Sequence, residues 1–313
     1  MTIKNIFMKD QFTNLYNQTG IPFQNWCFST LEEINIYQAI PEFSFTHPPS
    51  SGSQIGKHSS IDILALRGIP DFDNSKTFEG LILLFIECKR ADSTIKNWIF
   101  TKNPSRRIKH PTFFVKKIKK EGDQRLNFYS LESDIILQGY FDGLGYKKTQ
   151  NLEYCLQGVE ANKELTVVNR NQEKKIYKSL LQANHSLNAL YSKSQFYPLK
   201  IDGLEFPKEL KTPIKILFLP VVVTTANLYI ANYNPKDVKT GEINEKDIKF
   251  GKERPWLTFE FPLPDYLKHS GNKRFMTSLS EEDIMLSVER STTLIVNSEH
   301  WEEFLKDFDI WGL

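Results

Sequence analysis

The chain has 313 residues, of which 40% are hydrophobic and 25% charged, with a formal net charge of +2. That length supports a sizeable core, and the composition excludes a disordered chain. Near-neutral charge excludes attraction of the whole molecule to a polyanion, so any contact with nucleic acid must come from local clusters. Cys27, Cys88 and Cys155 stand far apart, and the histidines show no metal-ligand spacing. A disulfide framework and structural zinc are thereby excluded, and a reducing compartment fits. The first residues lack the apolar core of a signal peptide, and the longest apolar runs, 81–86 and 216–223, are too short for a bilayer. The expectation is a cytoplasmic chain with no membrane partner.

In chain order, Ser29 reads as an N-cap with Glu32 three residues on, which predicts a short helix through Glu33. Ile36–Phe45 predicts a strand at an edge or bulge because of Pro41. After a Pro/Ser/Gly loop, two apolar strands, Ser60–Leu66 and Gly80–Arg90, read as a hairpin with a polar tip around Gly68 to Ser75. Residues 92–149 interrupt the pattern. From about 150 a helical stretch runs to Ser192, with Ile176, Leu180, Leu181, Leu187 and Leu190 at helical spacing. Ile214–Thr225 and Asn227–Tyr233 are apolar strands, the first suited to burial on both faces. A polar loop, an aromatic stretch from Pro255 to Leu267, a strand over Thr292–Asn297 and a helix from Glu299 to Phe308 close the chain.

The chemistry concentrates in the hairpin. Pairing the two strands brings Asp62 beside Glu87 and Lys89, and the period of two puts Glu87 and Lys89 on one face with Cys88 on the other. Two carboxylates and an ammonium suit a hard divalent cation and the activation of water against a phosphodiester. Asp62, a 24-residue gap, then Glu87-Cys88-Lys89, with both strands apolar, resembles the PD-(D/E)xK restriction-endonuclease-like nucleases. The resemblance covers about residues 30 to 92 and the rest in outline; Ile61 stands where the family often has proline. It implies Asp62 and Glu87 as metal ligands, the Cys88 carbonyl as a main-chain ligand and Lys89 as the catalytic lysine. The cofactor it implies is Mg²⁺, with Mn²⁺ able to substitute. Glu33 is the candidate further acid, since the first helix of such folds often donates one; Glu32 and Glu42 compete for that role. Gln150-x-x-x-Tyr154 matches a glutamine–tyrosine pair of the exonuclease branch, with Gln157 and Gln182 as competitors.

From Lys96 to Lys120 the chain carries Lys96, Lys102, Arg106, Arg107, Lys109, Lys116, Lys117, Lys119 and Lys120 and no acid, with Trp98, Phe100, Phe113 and Phe114 interleaved. Starting seven residues after Lys89, this segment is expected beside the cleft. There it would gather phosphates, with rings that stack on bases or anchor it to the core. The fold class expected is α/β: a restriction-endonuclease-like core (helix, three-strand meander, helix, strand) with a mixed central sheet flanked by helices. That core spans 1–233 with a basic insertion at about 92–149, and 234–313 is a C-terminal extension of the same domain or a small accessory region. The expected function is metal-dependent cleavage of DNA in restriction, defence or repair, by an enzyme the resemblance implies to be a homodimer. The alternatives are a nuclease acting on RNA, or a non-catalytic nucleic-acid-binding or interaction protein on the same fold.

Overall fold

The most apolar runs of the sequence become neighbouring strands of one large mixed sheet. The computed structural model describes residues 3–46, 58–71, 74–91, 94–102, 114–118, 127–130, 154–169, 175–191, 210–234, 236, 238, 241–243, 245–262 and 290–307. Helices α1 (Ile3–Gln18) and α2 (Ile21–Ile34) precede an antiparallel meander of β1 (Gln38–Thr46), β2 (His58–Asp71) and β3 (Asn74–Lys89). Five strands follow: β4 (Asn97–Lys102), β5 (Phe114–Ile118), β6 (Asn127–Ser130), β7 (Tyr154–Ala161) and β8 (Val167–Asn169). Helix α3 (Lys175–Tyr191) then leads into β9 (Leu210–Thr224), β10 (Asn227–Asn232), β11 (Lys249–Phe250), β12 (Trp256–Pro262), β13 (Arg290–Asn297) and helix α4 (Trp301–Asp307). The order across the sheet is β1-β2-β3-β9-β13-β12-β7-β4-β10-β11, with β9 parallel to both β3 and β13.

β9 explains the packing. From Leu217 to Val223 it is buried on both faces. Leu217, Leu219, Val221 and Val223 pack with Ile82, Leu84 and Ile86 of β3, Cys27 and Leu31 of α2, and Trp301, Phe304 and Leu305 of α4. Val222 faces the other way, toward Trp98, Phe100, Leu228, Phe259 and Ile295, with Ile176 and Leu180 of α3. The chain crosses from Thr224 to Asn227 through two residues, although four strands lie between β9 and β10 in the sheet. Three Cα–Cα steps reach roughly 11 Å, whereas five flat strand spacings need roughly 24 Å. The sheet therefore curls around this second core. The main-chain bridge between Leu228 and Arg254, just ahead of β12, joins the curled edge to its own start.

Three differences from the sequence reading have physical causes. The first packed helix is α2, which starts at Ile21 behind Gly20 (φ 80°) with Pro22 in its first turn and ends at Asn35 in the left-handed conformation (φ 55°). Ser29 is thus inside the helix and caps nothing. The hairpin of β2 and β3 runs on through Asp71 and Asn74, so Gly68 is a paired strand residue rather than a tip. The expected helix from 150 is strand over Tyr154–Ala161, paired along β4, and Gly158 admits the Phe100 ring: a Cβ there would meet it at 2.8 Å. Among the described residues of that stretch, Lys175–Tyr191 is the helical part. Within 92–149 lies β4, an interior strand whose Trp98 and Phe100 are buried, and within 234–313 lie β12 and β13 of the same sheet. Among the described residues no helix is long and apolar enough to cross a membrane.

Candidate active site

The register of three strands sets three acids in a row. Ile63 pairs with Ile86, so the next position places Asp62 opposite Glu87; Phe43 pairs with Ile61 and Pro41 with Ile63, which places Glu42 opposite Asp62. Opposed side chains on antiparallel strands stand roughly 5 Å apart at Cβ. Glu42 has φ 50°, unusual for a residue with a Cβ, on the edge strand where Pro41 is tolerated.

Each member of the row is held differently. Asp62 Oδ2 accepts the main-chain N–H of Cys88 at 2.7 Å, which ties the first acid to the strand carrying the second. Glu87 is 6% exposed and its Oε1 lies 3.1 Å from Lys89 Nζ, an ammonium one-third exposed at the mouth of the site. Burial, then the charge of Asp62, pushes the Glu87 carboxyl up to about 8, against the pull of Lys89. Asp62 is also pushed up, chiefly by burial, with the Cys88 N–H and Lys89 opposing and Glu42 adding to the rise. The Cys88 thiol points to the opposite layer, packs with Cys27, and is pushed up by burial.

The surroundings fix the strand ends. Gln24 Nε2 of α2 donates to the Asp62 carbonyl at 3.2 Å, and the Gln182 amide of α3 donates to the Ser60 carbonyl. The Arg90 guanidinium donates to the Asn17 carbonyl at the end of α1. Thr225 reaches back, its N–H to the Lys89 carbonyl at 3.4 Å and its hydroxyl accepting from Ala91 N at 2.9 Å.

Other expected site residues lie elsewhere. Glu33 lines a separate cleft of about 570 Å³ with Thr30, Ile36, Glu302 and Lys306. It sits nine residues beyond Gln24, roughly 13 Å along α2. Tyr154 begins a strand rather than a covering helix, Gln157 is exposed on β7, and Gln150 lies outside the described residues. Lys96 is exposed at the site end of β4, where its carbonyl accepts from Asn227 N at 2.9 Å. Lys102 closes the far end of that strand. Lys116 and Lys117 pair with Ile216 and Lys215 of β9, roughly 20 Å along the strands from the level of Glu87. Arg106, Arg107, Lys109, Lys119, Lys120 and Phe113 lie outside the described residues. Trp98 and Phe100 are buried in the core rather than exposed as stacking surfaces.

Among the described residues no three His, Cys, Asp or Glu side chains are grouped to hold a metal. The donor set nevertheless fits a hard cation. Two half-buried or buried carboxylates face each other with one lysine to offset them, and Mg²⁺ keeps several of its own waters, so two carboxylates suffice. Gln24 and Thr225 are the site neighbours that sequence patterns missed; of the competing acids, Glu42 is the one whose register sets it opposite Asp62. No protein-family model matches the chain, and no curated protein or solved structure is found to be similar to it.

Proposed function

We propose that the chain is a metal-dependent nuclease that hydrolyses phosphodiester bonds of DNA, on a restriction-endonuclease-like core. One observation carries the reading: Asp62 and Glu87 are opposed across β2 and β3, with Lys89 Nζ 3.1 Å from Glu87. A helix, an antiparallel meander, a second helix and a strand parallel to the third is the order of α2, β1–β3, α3 and β9, which supports the fold assignment.

Asp62, Glu87 and the main-chain carbonyl of Cys88 would hold Mg²⁺, or Mn²⁺ in its place. When bound, the ion supplies Lewis acidity and a water of lowered pKa. Lys89 orients the attacking water by donating to it, and its charge stabilises the negative charge growing on the phosphate oxygens. The Cys88 N–H holds Asp62 in one rotamer, so the two carboxylates meet a ligand already aligned. Burial of Glu87 strengthens each of these interactions relative to water.

The test is cleavage of supercoiled plasmid and of linear single- and double-stranded DNA with Mg²⁺, Mn²⁺ or EDTA, with Asp62→Ala and Lys89→Ala alongside. The expected result is metal-dependent cutting that both substitutions abolish. Failure to cut, together with calorimetric Mn²⁺ binding that does not depend on Asp62, overturns the reading.

A further inference from the structure

Residues 11–31 hold no charged residue, six amide side chains and five aromatic ones. Every side chain from Gln11 to Thr19 is exposed, so this end of α1 is not held by burial in the fold. Phe12 and Tyr16 share one helix face by their spacing and are 69% and 44% exposed; Trp26 on α2 is 44% exposed. The rings lie in near-parallel pairs, Phe12 with Tyr16 (centroids 6.4 Å, planes 11° apart) and Phe23 with Trp26 (5.9 Å, 14°). Large exposed apolar groups on two consecutive helices mark an interaction site.

The position of this ledge identifies its ligand. It adjoins the carboxylates through two hydrogen bonds, Arg90 to the Asn17 carbonyl and Gln24 to the Asp62 carbonyl. Arg90 touches the ledge itself, and Lys89 and Lys96 lie at the same end of the sheet, where their carbonyls accept from the Thr225 and Asn227 N–H groups; residues 11–31 carry no carboxylate to repel a polyanion. Exposed rings stack on nucleobases, amides read base edges, and ammonium and guanidinium groups hold phosphates. A continuous duplex keeps its bases stacked within itself and offers such rings nothing.

We propose that the α1–α2 ledge binds unpaired bases of a single-stranded nucleic acid, stacked on Phe12, Tyr16 and Trp26, while the adjoining phosphates run over Lys89, Arg90 and Lys96. The fate of the bound strand rests on the nuclease reading, whereas its binding does not. The ledge then selects single strands, overhangs or strand ends for the carboxylate site.

The experiment is fluorescence anisotropy of the full chain in EDTA with labelled single-stranded and blunt duplex oligonucleotides of equal length. Tyr16→Ala, Trp26→Ala and the conservative Trp26→Phe run in parallel, with circular dichroism as a folding control and plasmid cleavage in Mg²⁺ measured separately. The expected result is tighter binding of the single strand, loss of roughly tenfold in its affinity for each alanine variant, and retention in Trp26→Phe. Single-strand binding should also quench indole emission in wild type and not in Trp26→Phe. Equal affinity for both forms, or alanine variants that bind like wild type, overturns the inference even if the plasmid is cut. A dimer that Tyr16→Ala and Trp26→Ala dissociate without changing nucleic-acid affinity also overturns it, and assigns the ledge to a second copy of the chain. Ledge-dependent binding with no cutting leaves the inference standing and counts against the nuclease alone.

Discussion

The molecule buries acids in two regions and treats them in opposite ways. Around the curled half of the sheet, Glu160 and Glu260 are 3% and 1% exposed, and each meets a neutral donor. The Ile176 N–H lies 3.0 Å from Glu160 Oε1, and the Thr292 hydroxyl 2.8 Å from Glu260 Oε1. Glu160 thereby satisfies a free N–H in the first turn of α3, where the helix dipole favours negative charge. At the end of β3, Glu87 is also buried but faces Asp62, and burial, then the charge of Asp62, raises its carboxyl to about 8 against the pull of Lys89. The first acids hold the fold together. The second pair opposes the fold, as expected of the metal site proposed above.

The sharpest way to break this contrast is Glu87→Gln. Removing one carboxylate of the pair is expected to lower metal-dependent cleavage by about a thousandfold. The same change removes a buried like-charge contact, so the melting temperature in EDTA at pH 8 is expected to rise by about 2–4 °C. A variant that loses both activity and stability would show that Glu87 holds the fold, as Glu160 does.

The raised Glu87 carboxyl also fixes the sign of a pH effect. From about 4.5, its ordinary value, to about 8, the folded chain holds a proton that the unfolded chain has released. Stability without metal therefore falls as pH rises through that window, by on the order of 2–4 kcal/mol. Melting curves in EDTA from pH 5 to 8 should show the decline, and saturating Mn²⁺ at pH 8 should reverse it. Equal slopes for wild type and Glu87→Gln would remove Glu87 as the cause.

For the structural acids the expectation inverts. Glu160→Ala leaves the Ile176 N–H without its partner and is expected to cost about 1–3 kcal/mol. Urea denaturation measures this, and cleavage per folded molecule should stay within about twofold of wild type, since β7 lies across the sheet from β3.

These two regions were unequally legible in the sequence. Asp62, Glu87 and Lys89 could be found because a period of two and a short hairpin are local signals. Tyr154–Ala161 could not, because Cys155 and Val159, four residues apart, share one face of a helix as readily as of a strand; what decides is β4, whose Phe100 ring lies against Gly158. β4 was hidden in turn by its basic surroundings, and its parallel partner β10 lies far along the chain. Ser29 resembled a cap only because the helix signal at Gly20 and Pro22 is weaker by composition than by conformation. The row of three acids needed the strand register, which no single segment contains.

The smallest effect concerns the third acid. Glu42 is exposed, stands opposite Asp62 by register, and is the least of the influences on the Asp62 carboxyl. A carboxylate at that range and exposure is worth about 1 kcal/mol to a nearby cation. Glu42→Gln is therefore expected to raise the Mg²⁺ concentration for half-maximal cutting by about fivefold and to leave the rate at saturating metal unchanged. Glu33→Gln is expected to change neither, because Glu33 belongs to the cleft with Glu302 and Lys306 at the other end of α2. If Glu33→Gln shifted the metal dependence and Glu42→Gln did not, the first helix rather than the edge strand would supply the extra charge. α2 would then have to turn its last residues toward the carboxylates when metal binds.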